Sequence, residues 1–336
     1  MLRADVSRIE VFSIRPFPLL PREIMDFRSF PERIKIVDVG PRDGLQNEKT
    51  RVSVADKIEL IDALGRAGVP AIEAGSFVSP AWVPQMADTA EVLAGVKRLP
   101  GVSYPVLVPN MRGLEAAIDA GAMEVAVFGS ASETFSRRNL NCTISESLQR
   151  FRPVCETALR HGLKVRGYVS CTLGCPYEGD IPPAAVADIA GHLVAMGCYE
   201  ISLGDTIGVG TPVQARTMVA TVMRTVSASQ LALHFHDTCG QALANIVACL
   251  GLGITVIDSA VAGLGGCPYA VGASGNVATE DVAYMLHGMG IETGIDLATL
   301  IDAGRAICRI LGREPASKVA RAFIASEGRI LRTTSS

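Results

Sequence analysis

Short apolar runs alternate with longer amphipathic ones from residue 33 to about residue 312. The short runs are Ile34–Val39, Ala71–Glu73, Tyr104–Val108, Glu124–Phe128, Lys164–Val169, Glu200–Leu203, Leu231–Phe235 and Thr255–Ser259, and their length and composition predict buried strands. The stretches between them, near 54–67, 85–97, 111–120, 143–161, 183–197, 212–227, 240–252 and 277–289, predict helices. Ile58, Leu60, Ile61 and Leu64 recur at helical spacing, while Ser53, Thr143 and Thr211-Pro212 stand where helix caps belong. Strand–helix units repeated in this way imply a parallel sheet with crossover helices. Eight of them close more naturally into a (β/α)8 TIM barrel of the α/β class than into an open sheet. An open doubly wound sheet would want G-x-G-x-x-G after its first strand, and the chain has Gly40-Pro41-Arg42-Asp43-Gly44 there. The stretch near 297–311 predicts an extra C-terminal helix. The barrel domain is expected over 33–322, after an N-terminal extension (1–32) without order of its own and before a C-terminal tail (323–336).

Composition narrows the class without changing it. A length of 336 residues suits one such barrel, and 49% hydrophobic residues supply a large core. A net charge of -3 gives no footprint for nucleic acid, and no apolar run is long enough to cross a bilayer. Nine scattered cysteines, an odd number in a long chain, argue for a reducing compartment rather than a secreted disulfide scaffold. Cys171 and Cys175 are spaced C-x3-C with no second pair at zinc-ribbon distance, which argues against a structural zinc. Arg3, Arg8, Arg15 and Arg22 hint at a transit peptide, whereas Asp5, Glu10 and Glu23 argue against one. The expected location is the cytoplasm, or the mitochondrial matrix if the extension is a leader.

Barrel enzymes place their chemistry at the C-terminal ends of the strands. Arg42 and Asp43 follow the first predicted strand, Glu73 ends the second, Asp205 follows the sixth, His234 and His236 close the seventh, and Cys267 and Asn276 follow the eighth. Positions i and i+2 of a strand face the same way, so His234 and His236 could hold one metal ion together. Alternatively, one is a satisfied core histidine and the other is exposed. In a closed barrel Asp43 would stand beside the last strand, which favours the metal reading. Asn276 is either a further ligand or a turn residue. Arg42 is either a surface ion-pair partner or a cation aimed into the mouth, and its glycine-flanked turn favours the second. Cys267 sits in the glycine-dense Gly263-Leu264-Gly265-Gly266-Cys267-Pro268-Tyr269, either as a buried small side chain or as the reactive thiol of a lid. Glu73 and Asp205 are either supporting groups or acid/base groups.

Several segments resemble the 3-hydroxy-3-methylglutaryl-CoA lyases, a family of metal-dependent (β/α)8 lyases. They are Val39 through Glu48, Ser76-Phe77-Val78-Ser79-Pro80, Gly167-Tyr168-Val169-Ser170-Cys171, Gly174 through Gly179, Ile201 through Gly208, and Gly263 through Asp281. Homocitrate and isopropylmalate synthases share the Arg-Asp and His-x-His pairs, and Gly263 through Ala270 is the element characteristic of the lyases. The resemblance implies that Asp43, His234, His236 and Asn276 bind a divalent cation, Mg2+ or Mn2+. It implies that Arg42 contacts the substrate carbonyl, that Gln46 also contacts substrate, and that Cys267 is a catalytic loop cysteine. Glu73 and Asp205 match further active-site acids, and His234 is a candidate base. Phe235, Cys239 and Gly75 depart from the usual Cys, Tyr and Thr. The implied reaction is retro-Claisen cleavage of (S)-3-hydroxy-3-methylglutaryl-CoA to acetyl-CoA and acetoacetate, as used in leucine degradation and ketone-body formation. The alternative is the same chemistry on a longer 3-hydroxy-3-substituted glutaryl-CoA. A catalytically silent barrel is disfavoured because Asp43 and both histidines are present. An acyl-CoA substrate and assembly as a homodimer or larger homo-oligomer complete the expectation, with no nucleic-acid or membrane partner.

Overall fold

Strands form where the apolar runs place them: β1 (Lys35–Asp38), β2 (Ala71–Ile72), β3 (Gly75–Ser76), β4 (Val106–Leu107), β5 (Glu124–Ser130), β6 (Lys164–Ser170), β7 (Glu200–Asp205), β8 (Leu231–Phe235) and β9 (Val256–Ser259). These come from a computed structural model that describes residues 30–46, 48–266 and 275–333. The strands pair in parallel in the order β2-β1-β9-β8-β7-β6-β5-β4-β3. β2 fills the start of the predicted strand Ala71–Glu73, and after an interruption at Glu73-Ala74 the chain resumes beyond the predicted range as β3, so the two are halves of one broken strand. The first half pairs with β1 and the second with β4. Glu73 N–H donates to Asp38 O at 2.9 Å and Ala74 N–H to Pro105 O at 2.9 Å. The interrupted strand therefore joins both edges, and the sheet closes into the expected barrel.

The helices are α1 (Val54–Arg66), α2 (Thr89–Gly95), α3 (Met111–Asp119), α4 (Glu133–Leu140), α5 (Ile144–Arg160), α6 (Pro183–Ala195), α7 (Pro212–Val222), α8 (Ala242–Leu250), α9 (Thr279–Gly288), α10 (Leu297–Leu311) and α11 (Lys318–Thr333). Ser53 Oγ accepts from Asp56 N at the start of α1, and Thr143 forms a reciprocal capping box with Glu146 at the start of α5. Each such cap contributes about 1 kcal/mol. Among the described residues, no helix is long and apolar enough to cross a membrane.

Two helices add to the expected plan. The predicted C-terminal helix is α10, and a further helix, α11, follows it from Lys318 through Thr333. Gly312 ends α10 in the left-handed conformation (φ 69°). Asp281 then accepts from Lys318 N and Val319 N, at 3.2 and 2.9 Å, and starts a new helix. The other addition is α4, which Ser132 caps through Phe135 N.

One strand face, including Ile36, Val125, Val127, Val165, Ile201, Leu203, Leu233 and Ile257, shares a core with helix residues such as Leu60, Leu64, Leu193, Val219 and Ile246. By register the opposite face carries Ala126, Arg166 and Glu200 in one row, and His234 and Asp258 in another. The interior is therefore polar over much of its cross-section. That is the physical basis of the site.

Candidate metal centre at the barrel mouth

The chain leaves β1 through a tight π-helical turn, Gly40–Gly44, in which Gly44 N–H donates to Val39 O at 3.1 Å. Gly44 lies so close to the loop after β9 that a Cβ would come within 2.6 Å of Leu264 Cβ. Only glycine allows this approach. The turn directs Arg42 and Asp43 inward. Arg42 Nε donates to Glu73 Oε2 at 2.7 Å, and Nη1 donates to Asp43 Oδ1 at 2.7 Å. Its guanidinium lies 5.4 Å from the centre of the Tyr168 ring. Glu73 Oε1 is buried and has no hydrogen-bond partner among the described residues. Burial pushes the Glu73 carboxyl up, against the pull of Arg42.

His234 and His236 approach from β8 with ring centres 5.4 Å apart. Asp43, His234 and His236 each present a ligand atom, and these atoms all lie within 4.8 Å of one another. His236 Nε2 is 4.0 Å from Asp43 Oδ2. The segment after the glycine-rich loop runs between the ends of β8 and β9, with Val277 N–H on Phe235 O and Ala260 N–H on Val277 O. This pairs Asn276 with His236 and lets Asn276 Nδ2 donate to Asp43 Oδ2 at 2.8 Å. The expected metal set is thus gathered in one place.

The electrostatics suit a cation. Burial pulls the Asp43 carboxyl upward, but Arg42, both histidines and the Asn276 amide outweigh it and bring it down to about 2. Burial, with His234 alongside, lowers His236 to about 4, so that ring is a neutral nitrogen donor at pH 7. An ionised carboxylate and paired imidazoles form the mixed nitrogen–oxygen donor set of a divalent ion.

The remaining predicted residues divide. Asp205 is buried at the end of β7, where its Oδ1 accepts from Gly208 N and Val209 N and its Oδ2 from Gly210 N, at 3.1, 3.3 and 2.9 Å. Burial still raises its carboxyl. Gln46 is half-buried just past the Arg42 turn. Phe235 packs outward into the main core, which leaves its histidine neighbours facing in. Cys267 lies outside the described residues. Its loop leaves from the metal group, since Leu264 O accepts from Asn276 Nδ2 at 3.3 Å.

Sequence reasoning that looked only at strand ends missed a network of five interior residues. Arg166 donates to Glu200 Oε1 at 2.6 Å, to the Tyr168 hydroxyl at 2.7 Å, and through both terminal nitrogens to Asp258 at 3.0 and 2.7 Å. Asp258 Oδ2 also accepts from Ser202 Oγ at 2.7 Å and lies 3.3 Å from His234 Nδ1. The available signal was charge inside apolar strand runs, with Arg166 and Tyr168 two positions apart on one face.

Comparison with known proteins agrees with this geometry. The family model described as HMGL-like matches residues 33–307. The mitochondrial hydroxymethylglutaryl-CoA lyase of Gallus gallus is 60% identical over 294 residues, covering 88% of this chain and 99% of that protein. A Pseudomonas aeruginosa protein named 3-hydroxy-3-isohexenylglutaryl-CoA/hydroxy-methylglutaryl-CoA lyase is 58% identical over 297 residues, covering 88% and 99%. The crystal structure of hydroxymethylglutaryl-CoA lyase from P. aeruginosa superposes with a TM-score of 0.87 at 58% identity, covering 89% of this chain and 99% of that one. The chain belongs to the HMGL-like family, in its hydroxymethylglutaryl-CoA lyase branch.

Proposed function

We propose that this protein is a lyase that cleaves 3-hydroxy-3-methylglutaryl-CoA to acetyl-CoA and acetoacetate. The observation that carries the reading is the juxtaposition of Asp43, His234 and His236 beside the Arg42 guanidinium. That donor set would hold a divalent cation, Mg2+ or Mn2+, with Asn276 as a fourth ligand through its amide oxygen. A bound cation supplies Lewis-acid polarisation of the substrate's oxygen atoms. The reaction breaks the C2–C3 bond: the C3 hydroxyl loses its proton as C3 becomes a ketone, and C2 leaves as the thioester enolate. The proton passes to a base at the end of β7, where Asp205 stands, because His234 is taken up by the cation and by Asp258. Arg42, anchored by Glu73 and Asp43, stabilises the enolate oxygen. Cys267 returns a proton to the enolate carbon, and Gln46 contacts the acyl group.

The test is an assay of chelator-stripped enzyme with 3-hydroxy-3-methylglutaryl-CoA. Acetoacetate should appear only after Mg2+ or Mn2+ is restored. Full activity without metal would defeat the reading. One relative carries a second, longer substrate in its name, so the panel includes a 3-isohexenyl analogue, with the methyl compound expected to be turned over faster. Location turns on residues 1–32, because relatives are named as mitochondrial. A reporter fused behind those residues reads matrix if they act as a leader and cytoplasm if they do not.

A further inference from the structure

We propose that Asp258 is a positioning residue for His234: it accepts the ring's Nδ1–H and so turns the Nε2 lone pair toward Asp43 and His236. The inference rests on the metal-centre reading above and adds a residue that the strand-end pattern does not contain. His234 and Asp258 are register partners on adjacent strands, β8 and β9, and both face into the barrel. Neutral imidazole carries one N–H, and the nitrogen nearest a carboxylate holds it. With His234 Nδ1 at 3.3 Å from Asp258 Oδ2, Nε2 is left as the electron-pair donor. A carboxylate behind a metal-binding histidine fixes both tautomer and ring angle.

Asp258 is itself held rigid. The Arg166 fork spans both its oxygens, Ser202 donates to Oδ2, and the residue is 1% exposed. Glu200 takes the remaining side of Arg166, and Lys35 Nζ stands 3.3 Å from Glu200. Two cations and two carboxylates balance within this network. It constrains the ring through one hydrogen bond. The Tyr168 ring lies against both Arg166 and Arg42, at 4.9 and 5.4 Å, and meets His234 edge-on at 6.0 Å, which limits the ring's freedom to swing.

The test uses substrate-free enzyme. Mn2+ affinity is measured by electron paramagnetic resonance for wild type and for Asp258→Asn, whose amide can present N–H to Nδ1 and favour the opposite tautomer. The expected result is a loss of about 10–100-fold in affinity with an unchanged circular dichroism spectrum. Long-range 1H–15N spectra of metal-free wild type, with His234 assigned by its loss in His234→Gln, should show the proton on Nδ1. A folded Asp258→Asn protein that binds Mn2+ within twofold of wild type overturns the proposal, as does a His234 proton on Nε2. If the variant does not fold, the wild-type spectrum decides alone. Wild type that binds no Mn2+ would sink the metal centre itself, and the tautomer would still be read from the same spectrum.

Discussion

Asp38 and Asp43 lie five residues apart on one strand and its turn, yet they face opposite sides of the barrel wall and behave as different acids. Asp38 points out beneath α9 and is fully buried. Its oxygens accept from Gly40 N at 2.8 Å and from the Thr279 hydroxyl at 2.7 Å, both neutral donors. Burial therefore dominates and pushes its carboxyl up to about 7. Its neighbour Glu280, with both oxygens on Ala262 N at 2.9 Å, is pushed up to about 8 by burial, and the charge of Asp38 adds to the effect. Asp43 stays partly open and meets Arg42, two imidazoles and an amide, which bring it down to about 2. The inner face pools unlike charges that keep its carboxylate ionised and ready for a cation. Around Asp38 and Glu280 the outer face offers hydrogen bonds, so these two acids hold their protons toward neutral pH.

The largest effect that tests the inner half of this contrast is loss of the Arg42 cation. Arg42→Gln removes the charge that lowers Asp43 and, with it, the donor proposed for the enolate. We expect kcat to fall by ~10²–10³-fold, the scale for one preorganised oxyanion donor. Steady-state kinetics at saturating Mg2+ checks this. Turnover within a few-fold of wild type would show that the inner charges serve structure alone.

Much of this was legible in the sequence, for reasons that also explain the gaps. Strand alternation placed His234 and His236 on one side, and closure of the barrel put Asp43 beside them. Both arguments depend only on backbone geometry. The strand broken at Glu73-Ala74 was expected to end at Glu73, because its second half, Gly75–Ser76, is too short to show a period. Asp258, Arg166 and Glu200 were overlooked because they sit inside a strand or at its start rather than at its C-terminal end. Their pairing also joins residues up to 92 positions apart, which no local spacing reveals. The opposite characters of Asp38 and Asp43 were equally hidden. Both are aspartates near a glycine, and only their neighbours across the fold separate them.

The outer half of the contrast predicts a pH dependence of stability. A carboxyl whose folded pKa is raised keeps its proton in the native state while the unfolded chain releases it above its ordinary value of 3.8. The contribution of such a carboxyl to stability is therefore fully present below about pH 4, falls as pH rises toward 7, and levels off above. For Asp38 alone the difference is on the order of 4 kcal/mol. Asp38→Asn keeps an acceptor for Gly40 N and cannot ionise. Its urea midpoint should fall less than that of wild type between pH 4 and pH 8. Asp43 carries the opposite sign, since its contribution is present above about pH 4 and fades as pH drops toward 2. Parallel curves for wild type and Asp38→Asn would mean that the outer carboxyl is ionised throughout.

The smallest effect examines how Asp38 is satisfied. Thr279→Val preserves shape but removes the hydroxyl that donates to Asp38 Oδ2 and also meets Ser259 Oγ at 2.9 Å. That hydroxyl favours the ionised form, so its loss should raise the Asp38 carboxyl further and move the fall in stability to higher pH. At pH 5 the acid carries its own proton, and the missing donor matters little. At pH 8 a buried carboxylate has lost a donor, and the penalty should approach about 1–3 kcal/mol. The cost of the substitution should therefore grow between pH 5 and pH 8 in urea unfolding. A cost equal at both would mean that Asp38 does not exchange its proton in this range, and the two faces of the barrel wall would then treat their acids alike.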